Sequence, residues 1–301
     1  MGINWTMSKI INTLPSREEK KSQLSPSDPH VGVMFTTKCN MSCRLCLNKR
    51  RSFPDDFIKE ETIHKIIIKL KKINFNGKVA ITGGEPSLHP NFLEYCKIMA
   101  NSGLNVYLAT NFTWVDYKKP LNHQRKFKFI ENLIYTHKNF TLKIPMDSLH
   151  FSNNPKLPKI IKKFQEYIDS GETFLKHGVH FSYCRVEPNL NSLIKCANLC
   201  NFKITEENIE TVLQEWRTLY DPDKMEGIIN FLEIDPQGNL FLNCYEYNQN
   251  RPLGRIEILD KVIKKIRKDL KSGRGKRIER PIKNMNLYEL KKKVWQLINK
   301  C

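Results

Sequence analysis

The sequence lacks any apolar run that approaches the length of a membrane span. Its first residues, Met1 to Ile11, also lack the apolar core of a signal peptide. We therefore expect a soluble, cytoplasmic protein. No internal repeat is evident beyond an alternation of strands and helices, and 301 residues suit one large domain with an appendage.

Acidic residues are also scarce, because 31 Asp and Glu face 50 Lys and Arg and give a formal net charge of +19. The excess is concentrated in residues 261–300, which carry fifteen basic and three acidic residues. A basic tail of this kind can attract nucleic acid, an acidic peptide or an anionic surface. A solvated face in a lysine-rich proteome explains the same charge equally well.

The nine cysteines are not spread like a disulfide framework, since Cys39, Cys43 and Cys46 lie within eight residues. Such clustering in a reducing compartment indicates metal binding. Three thiolates can hold three irons of a [4Fe-4S] cluster and leave the fourth iron open. Zinc, the alternative, usually takes four closed ligands, and no fourth Cys or His lies close by in the sequence.

Strand and helix patterns alternate along most of the chain. Predicted strands are residues 31–35, 78–82, 105–109, 140–146 and 177–184, and predicted helices are residues 58–73, 91–101, 121–135, 159–170, 190–200 and 206–220. Repeated strand–helix units imply a parallel sheet with right-handed crossovers. About six units are too few for a closed eight-unit barrel, so the predicted fold class is α/β, with an open, partial (β/α)6 barrel.

The domain prediction has three parts. Residues 1–29 form a lead-in segment, residues 30–235 form the partial barrel, and residues 236–301 form a small basic C-terminal extension. A strand, turn and strand over residues 231–242 predict a β-hairpin at the junction. A final amphipathic helix is predicted over residues 286–298.

A second motif, Gly83-Gly84-Glu85-Pro86, ends the second predicted strand. Two glycines let a backbone approach a ligand closely, and Glu85 can accept hydrogen bonds from an ammonium group. This motif alone fits any tight turn. The cysteine triplet precedes this motif in the chain, and the two together resemble the signature of the radical S-adenosylmethionine (SAM) superfamily.

The resemblance implies that the turn binds the amino group of SAM, while the amino and carboxylate groups of SAM chelate the open iron. Further cofactor contacts are implied at Asn111, where the family often has Thr-Asn-Gly, and at Asp147 and Ser148, which end the fourth strand. Phe112 replaces that Gly here. Leu45 stands where the family favours an aromatic residue near the adenine, and it keeps an apolar contact.

Residues 235–244 resemble the hairpin of the SPASM and twitch extensions, in which a following cysteine ligates an auxiliary iron–sulfur cluster. Cys244 is therefore interpreted as a cluster ligand, as a catalytic hydrogen donor to a substrate radical, or as a structural remnant. A second cluster would need Cys244 with some of Cys184, Cys196 and Cys200. The helical spacing of Cys196 and Cys200 favours core packing.

The resemblance implies an enzyme that cleaves SAM reductively and abstracts a substrate hydrogen atom, served by a flavodoxin- or ferredoxin-type reductant protein. The basic tail favours a peptide or another acidic substrate. The alternative is a small-molecule epimerase or dehydrogenase, for example on a carbohydrate, that uses Cys244. A non-enzymatic iron–sulfur or nucleic-acid-binding protein is a third hypothesis, against which the Gly-Gly-Glu-Pro motif argues.

Overall fold

The fold is that of a computed structural model. It describes residues 28–43, 46, 56–171, 178–182, 196, 199–200, 231–242 and 252–271. Predictions about Leu45, Cys184, Cys244, the helices over residues 206–220 and 286–298, and most of the helix over residues 190–200 lie outside these residues. No helix in the described ranges is long and apolar enough to cross a membrane.

The described residues contain eight strands and six α-helices. The strands are β1 (His30–Thr36), β2 (Lys78–Gly83), β3 (Asn105–Ala109), β4 (Phe140–Pro145), β5 (Val179–Ser182), β6 (Phe231–Ile234), β7 (Asn239–Phe241) and β8 (Gly254–Arg255). The helices are α1 (Glu60–Lys72), α2 (Phe92–Asn101), α3 (Arg125–Thr136), α4 (Ser148–Asn153), α5 (Leu157–Asp169) and α6 (Leu259–Lys271). The sequence patterns predict most of these elements but not α4, β8 or α6. The lysines of α6 were interpreted only as part of a basic tail.

All eight strands form one open sheet in the order β5-β4-β3-β2-β1-β6-β7-β8. β1 to β5 pair in parallel, and β6 pairs in parallel with the other edge of β1. The open α/β architecture is therefore confirmed. The carboxyl ends of six strands meet at one edge of the sheet, which is where α/β sheets bind their ligands.

The predicted hairpin is confirmed, because β6 and β7 pair antiparallel across a turn that contains Gly238 with φ at +84°. Buried Asp235 accepts hydrogen bonds from the backbone N–H and the side-chain amide of Asn239, at 2.8 and 2.9 Å. The hairpin extends the barrel sheet beyond β1. The proposed boundary between residues 235 and 236 falls within this turn.

The two faces of the sheet differ in composition. Val31, Val33 and Phe35 of β1 alternate toward the helices and belong to the main hydrophobic core. On the opposite face, Thr82 of β2 and Ala109 of β3 are small and only partly buried. These two small side chains lie beside longer side chains on the same face of the neighbouring strands.

Helix α6 joins the C-terminal extension to the barrel. Ile263 and Ile266 are buried in the main core, and Arg267 forms an ion pair with Asp28, which is almost fully buried. The guanidinium also donates to the carbonyl oxygens of Ile73 and Asn74, at 2.9 and 3.2 Å. The extension is thus held against the end of α1.

We expect Arg267→Leu to lower the free energy of unfolding by about 3 kcal/mol, because it leaves the Asp28 carboxylate buried without its cation. Urea unfolding measures the change. The matched control is Lys65→Leu, which breaks an exposed ion pair with Glu61 and should cost less than about 1 kcal/mol. Equal losses in the two variants would contradict this account of the Arg267 ion pair.

Candidate functional site

The cysteine loop starts where β1 ends, and its two ends are held together. Thr36 Oγ1 donates to the carbonyl oxygen of Asp56 at 2.7 Å, and the Asp56 N–H donates to Thr37 Oγ1 at 2.8 Å. The side chain of Gln237, in the β6–β7 turn, donates to the Asp56 carboxylate. These contacts place the base of the cysteine loop beside the hairpin at the carboxyl edge of the sheet.

The three thiols of this loop lie close enough to influence one another. Burial raises the pKa of Cys43 to about 11, and the neighbouring Cys46 and Cys39 thiols add to this rise. Burial also raises the pKa of Cys39, with Glu85 and Cys46 contributing. Among the described residues, no three Cys, His, Asp or Glu side chains converge to hold a single metal ion. The thiols are therefore neighbours without forming a single-ion site.

Gly83 and Gly84 bring the end of β2 directly against the cysteine loop. A Cβ atom on Gly84 would overlap the carbonyl oxygen of Lys38, and one on Gly83 would overlap that of Thr36. The N–H of Gly84 donates to Thr36 O at 2.8 Å, and the N–H of Glu85 donates to Lys38 O at 2.7 Å. We predicted that the glycines let the backbone approach a ligand; here they let it approach the start of the cysteine loop.

The Glu85 side chain is fully buried and points toward the end of β3. Its carboxylate accepts hydrogen bonds from Thr110 Oγ1 and the Asn111 N–H, both at 2.7 Å, and from the Ser87 N–H at 3.1 Å. Burial raises the pKa of this carboxyl, and the three donors oppose the rise. Pro86, also buried, begins the single 3-10 turn that follows. Three protein donors thus bind the carboxylate that we expected to face an ammonium group.

Asn111 connects the end of β3 to the cysteine loop. Its Nδ2 donates to Asn40 Oδ1 at 2.9 Å and lies 3.9 Å from Cys39 Sγ. Its Oδ1 accepts from the Thr113 N–H at 3.0 Å and from Thr113 Oγ1 at 2.6 Å. The Asn111 backbone therefore contacts Glu85 of the Gly-Gly-Glu-Pro turn, and its side chain contacts the cysteine loop.

Phe112 adopts a left-handed conformation, with φ at +64°, at the position where the family often has Gly. Its fully buried ring packs edge-on against Trp114 and Phe164, with centroid distances of 5.1 and 5.8 Å. A bulky residue with this φ is strained and persists only where its surroundings hold it. The aromatic packing supplies that support.

Asp147 follows β4 and caps α4, which begins at Ser148. Its carboxylate accepts from the backbone N–H of His150 at 2.9 Å and pairs with His150 Nδ1 at 2.8 Å. The Asp147 charge also contributes to the raised pKa of Cys43, after burial and the other two thiols. His150 was not among the predicted site residues, although an Asp and a His three residues apart at a helix start would have indicated the pair.

The other described cysteines belong to the hydrophobic core. Cys96, Cys196 and Cys200 are all buried there, which confirms the core packing predicted for Cys196 and Cys200. Burial raises the pKa of Cys200 to about 12, so its thiol stays protonated. Cys184 and Cys244 lie outside the described residues.

His89 links the Gly-Gly-Glu-Pro turn to Ile58, in the segment that follows the cysteine loop. Its Nδ1 accepts from the Asn91 N–H, and its Nε2 lies 3.0 Å from the carbonyl oxygen of Ile58, so the ring fits these partners as the neutral Nε2–H tautomer. Burial lowers its pKa below 6.5. Below that pH the unfolded chain takes up the proton before the folded chain does.

We therefore expect the free energy of unfolding to fall as the pH drops through about 6.5, by at most about 1.4 kcal/mol per pH unit from this group. His89→Gln should remove this slope. His64→Gln, which changes a half-exposed histidine on α1, should leave it in place. Urea unfolding between about pH 5 and 8 measures all three proteins, and an unchanged slope in His89→Gln would contradict the assignment.

Comparisons with known proteins agree with this arrangement. A family model described as the radical SAM superfamily matches residues 33–186. A protein of Methanocaldococcus jannaschii named as a glycyl-radical enzyme activating enzyme is 31% identical over 93 residues, and one of Pyrococcus horikoshii named as a GTP 3′,8-cyclase is 27% identical over 84 residues. These stretches cover 30% and 28% of this chain, and 34% and 27% of the two relatives, so the match spans about a third of the first and about a quarter of the second.

Two solved structures share the fold. BtrN in complex with AdoMet and 2-DOIA is 16% identical, with a TM-score of 0.51, over 82% of this chain and 88% of that one. SuiB of Streptococcus suis bound to S-adenosylmethionine is 13% identical, with a TM-score of 0.52, over 83% of this chain and 70% of that one. At these identities the likeness concerns the fold alone.

The superfamily implies a [4Fe-4S] cluster and SAM as cofactors, and the homologues are enzymes. The hypothesis of a non-enzymatic binding protein is therefore set aside. The family model matches just over half of the chain, including the cysteine loop, the Gly-Gly-Glu-Pro turn and the ends of β3 and β4. The protein thus belongs to the radical SAM superfamily and is an enzyme of that superfamily.

Proposed function

We propose that Cys39, Cys43 and Cys46 hold a [4Fe-4S] cluster and leave its fourth iron open to SAM. The observation that carries this proposal is the contact between the cysteine loop and the Gly83–Gly84 turn at the carboxyl edge of the sheet. When held by these three cysteines, the cluster would supply the electron for the reductive cleavage of SAM.

The donor set of the loop fits such a cluster. Burial and the neighbouring thiols raise the pKa values of Cys39 and Cys43, so positive charge from iron would favour their thiolates. A structural zinc ion usually takes four protein ligands, whereas three thiolates leave the fourth iron of a [4Fe-4S] cluster open.

The surrounding residues have separate proposed roles. The backbone of Gly83, Gly84 and Glu85 receives the amino group of SAM, because the Glu85 carboxylate already accepts three protein hydrogen bonds. Pro86 and the Asn111 end of β3 fix this turn. Asp147, Ser148 and Leu45 are proposed to contact the rest of SAM. The imidazole of His150 pairs with the Asp147 carboxylate and is partly exposed.

Anaerobic reconstitution tests the cofactor proposal. Full occupancy should give about four irons per chain for one cluster and about eight for two. The electron paramagnetic resonance (EPR) signal of the reduced cluster should change when SAM is added, because SAM binds the open iron. A signal unchanged by SAM, from a fully occupied cluster, would contradict an open iron.

For the substrate, we propose a peptide or another acidic molecule. Helix α6 supports this proposal, because it buries Ile263 and Ile266 and exposes a row of lysines at helical spacing. The exposed lysines of this face are Lys261, Lys264, Lys265, Lys268 and Lys271. Such a face attracts acidic groups through a field that salt screens.

We expect the triple change Lys264→Glu, Lys265→Glu and Lys268→Glu to weaken binding of a ten-residue poly-Glu peptide at least about tenfold at low salt. The wild-type affinity should fall steeply with salt. The control changes Lys97, Lys118 and Lys126 to Glu, which adds the same charge at scattered exposed positions. Equal losses in both triple variants, or tighter binding of single-stranded DNA than of the peptide, would contradict an acidic-peptide surface.

A small-molecule epimerase or dehydrogenase is the second candidate, with Cys244 as a hydrogen donor or a ligand of an auxiliary cluster. The β6–β7 hairpin supports this candidate, because the SPASM and twitch hairpins that it resembles are followed by a cysteine that ligates an auxiliary cluster. A Cys244→Ala variant separates the two roles. Loss of about four of eight irons would identify a ligand, and unchanged iron with an accumulating substrate radical would identify a donor.

We also propose that a reductant protein of the flavodoxin or ferredoxin type serves the enzyme.

A further inference from the structure

Three polar side chains form a closed hydrogen-bonded group between the cysteine loop and the end of β3. We call Asn40, Asn111 and Thr113 the amide–hydroxyl cluster. Asn111 Nδ2 donates to Asn40 Oδ1 at 2.9 Å, and Asn40 Nδ2 donates to Thr113 Oγ1 at 2.7 Å. Thr113 Oγ1 donates to Asn111 Oδ1 at 2.6 Å and closes the ring. Segments more than seventy residues apart are thereby joined.

Asn111 is the fixed member of this group. Its side chain is buried, and its backbone N–H donates to Glu85 Oε2 at 2.7 Å. Glu85 in turn donates its own N–H to Lys38 O, next to Cys39. The Asn111 amide is therefore oriented from two directions before any cofactor binds.

Cys39 is the cysteine that this group reaches. Its Sγ accepts the Met41 N–H at 3.4 Å and lies 3.9 Å from Asn111 Nδ2. N–H donors aimed at a cluster sulfur stabilise the additional negative charge of the reduced state, and they are one of the means by which proteins set cluster potentials. Outer residues that orient a ligand also slow its loss of metal.

We propose that Asn111 is a positioning residue for the iron–sulfur cluster, which orients Cys39 through the amide–hydroxyl cluster and makes the bound cluster easier to reduce. This inference rests on the proposed function, because it requires Cys39 to be a cluster ligand. It assigns the Asn111 side chain to the cysteine loop, whereas the family resemblance implied a direct contact with SAM.

Asn111→Asp is the sharpest test, since it keeps the shape of the side chain and replaces the donor with a charged acceptor. In the reconstituted protein we expect a more negative midpoint potential, followed by EPR, and about tenfold faster iron release to a chelator. The control, Asn101→Asp, adds the same charge at the exposed end of α2 and should change neither value.

Thr113→Val and Thr113→Ser form a second pair that keeps the test informative if Asn111→Asp folds poorly. Valine removes the hydroxyl that bonds both asparagines. Thr113→Val should therefore make the midpoint potential more negative and iron release faster, as Asn111→Asp does. Serine keeps the hydroxyl and should restore wild-type values. Circular dichroism and urea unfolding of each protein separate these effects from general instability.

The outcomes distinguish this inference from the proposed function. A wild-type protein that binds no iron would overturn the proposed function itself. A wild-type protein with a full cluster, together with Asn111→Asp and Thr113→Val variants that keep the wild-type potential and iron release, would overturn only the role of Asn111.

Discussion

Cys43→Ala should abolish the reductive cleavage of SAM and leave fewer than four irons per chain after reconstitution. A cube held by three thiolates loses one of its anchors when a single cysteine is removed, and the two that remain cannot fix an open iron beside the Gly83–Gly84 turn. Liquid chromatography of 5′-deoxyadenosine, with iron analysis of the same sample, measures both effects.

Cys96→Ala is the matched control for this experiment. Cys96 is fully buried on α2, and its neighbours are core residues. Its removal should cost about 1 kcal/mol of folding free energy and leave the iron content unchanged. If Cys43→Ala still produced 5′-deoxyadenosine at the wild-type rate, the assignment of the cysteine triplet would be wrong.

Gly84→Ala should have the second largest effect, because it acts on the contact between the two motifs. The added Cβ would overlap the Lys38 carbonyl oxygen, which is a backbone atom and cannot rotate away. The turn can retreat only by breaking the hydrogen bond from the Glu85 N–H to that same oxygen. We expect a loss of about 3 kcal/mol in unfolding free energy and little retention of the cluster.

Gly103→Ala provides the comparison for that result. Gly103 has φ at +76°, but a Cβ there would meet no atom within 4 Å. It should therefore cost only about 1 kcal/mol for the left-handed backbone, and the cluster should be retained in full. Similar losses of iron in the two variants would show that the Gly84 contact has no special role.

The local patterns of the sequence predicted much of the fold. Ile63, Ile66 and Leu70 repeat at helical spacing and are buried on α1, as expected. The hairpin was predictable because its turn carries Pro and Gly, and Gly238 does adopt a positive φ. The pairing of β6 with β1 was not predictable, since strand partners about two hundred residues apart are chosen by packing rather than by local pattern.

The motifs of the site were predictable, but the direction in which each side chain points was not. The cysteine triplet and Gly83–Gly84 identified which segments meet. Only the fold shows that the Glu85 carboxylate faces Thr110 and Asn111. His150 was missed because the short helix that begins at Ser148 and brings it against Asp147 was not predicted.

The most direct test of the central claim is the formation of 5′-deoxyadenosine by the reconstituted wild-type protein, given SAM and dithionite without oxygen. The account predicts 5′-deoxyadenosine and methionine in equal amounts, with about four irons per chain at full occupancy of one cluster. A fully occupied cluster that binds SAM but releases no 5′-deoxyadenosine would contradict it.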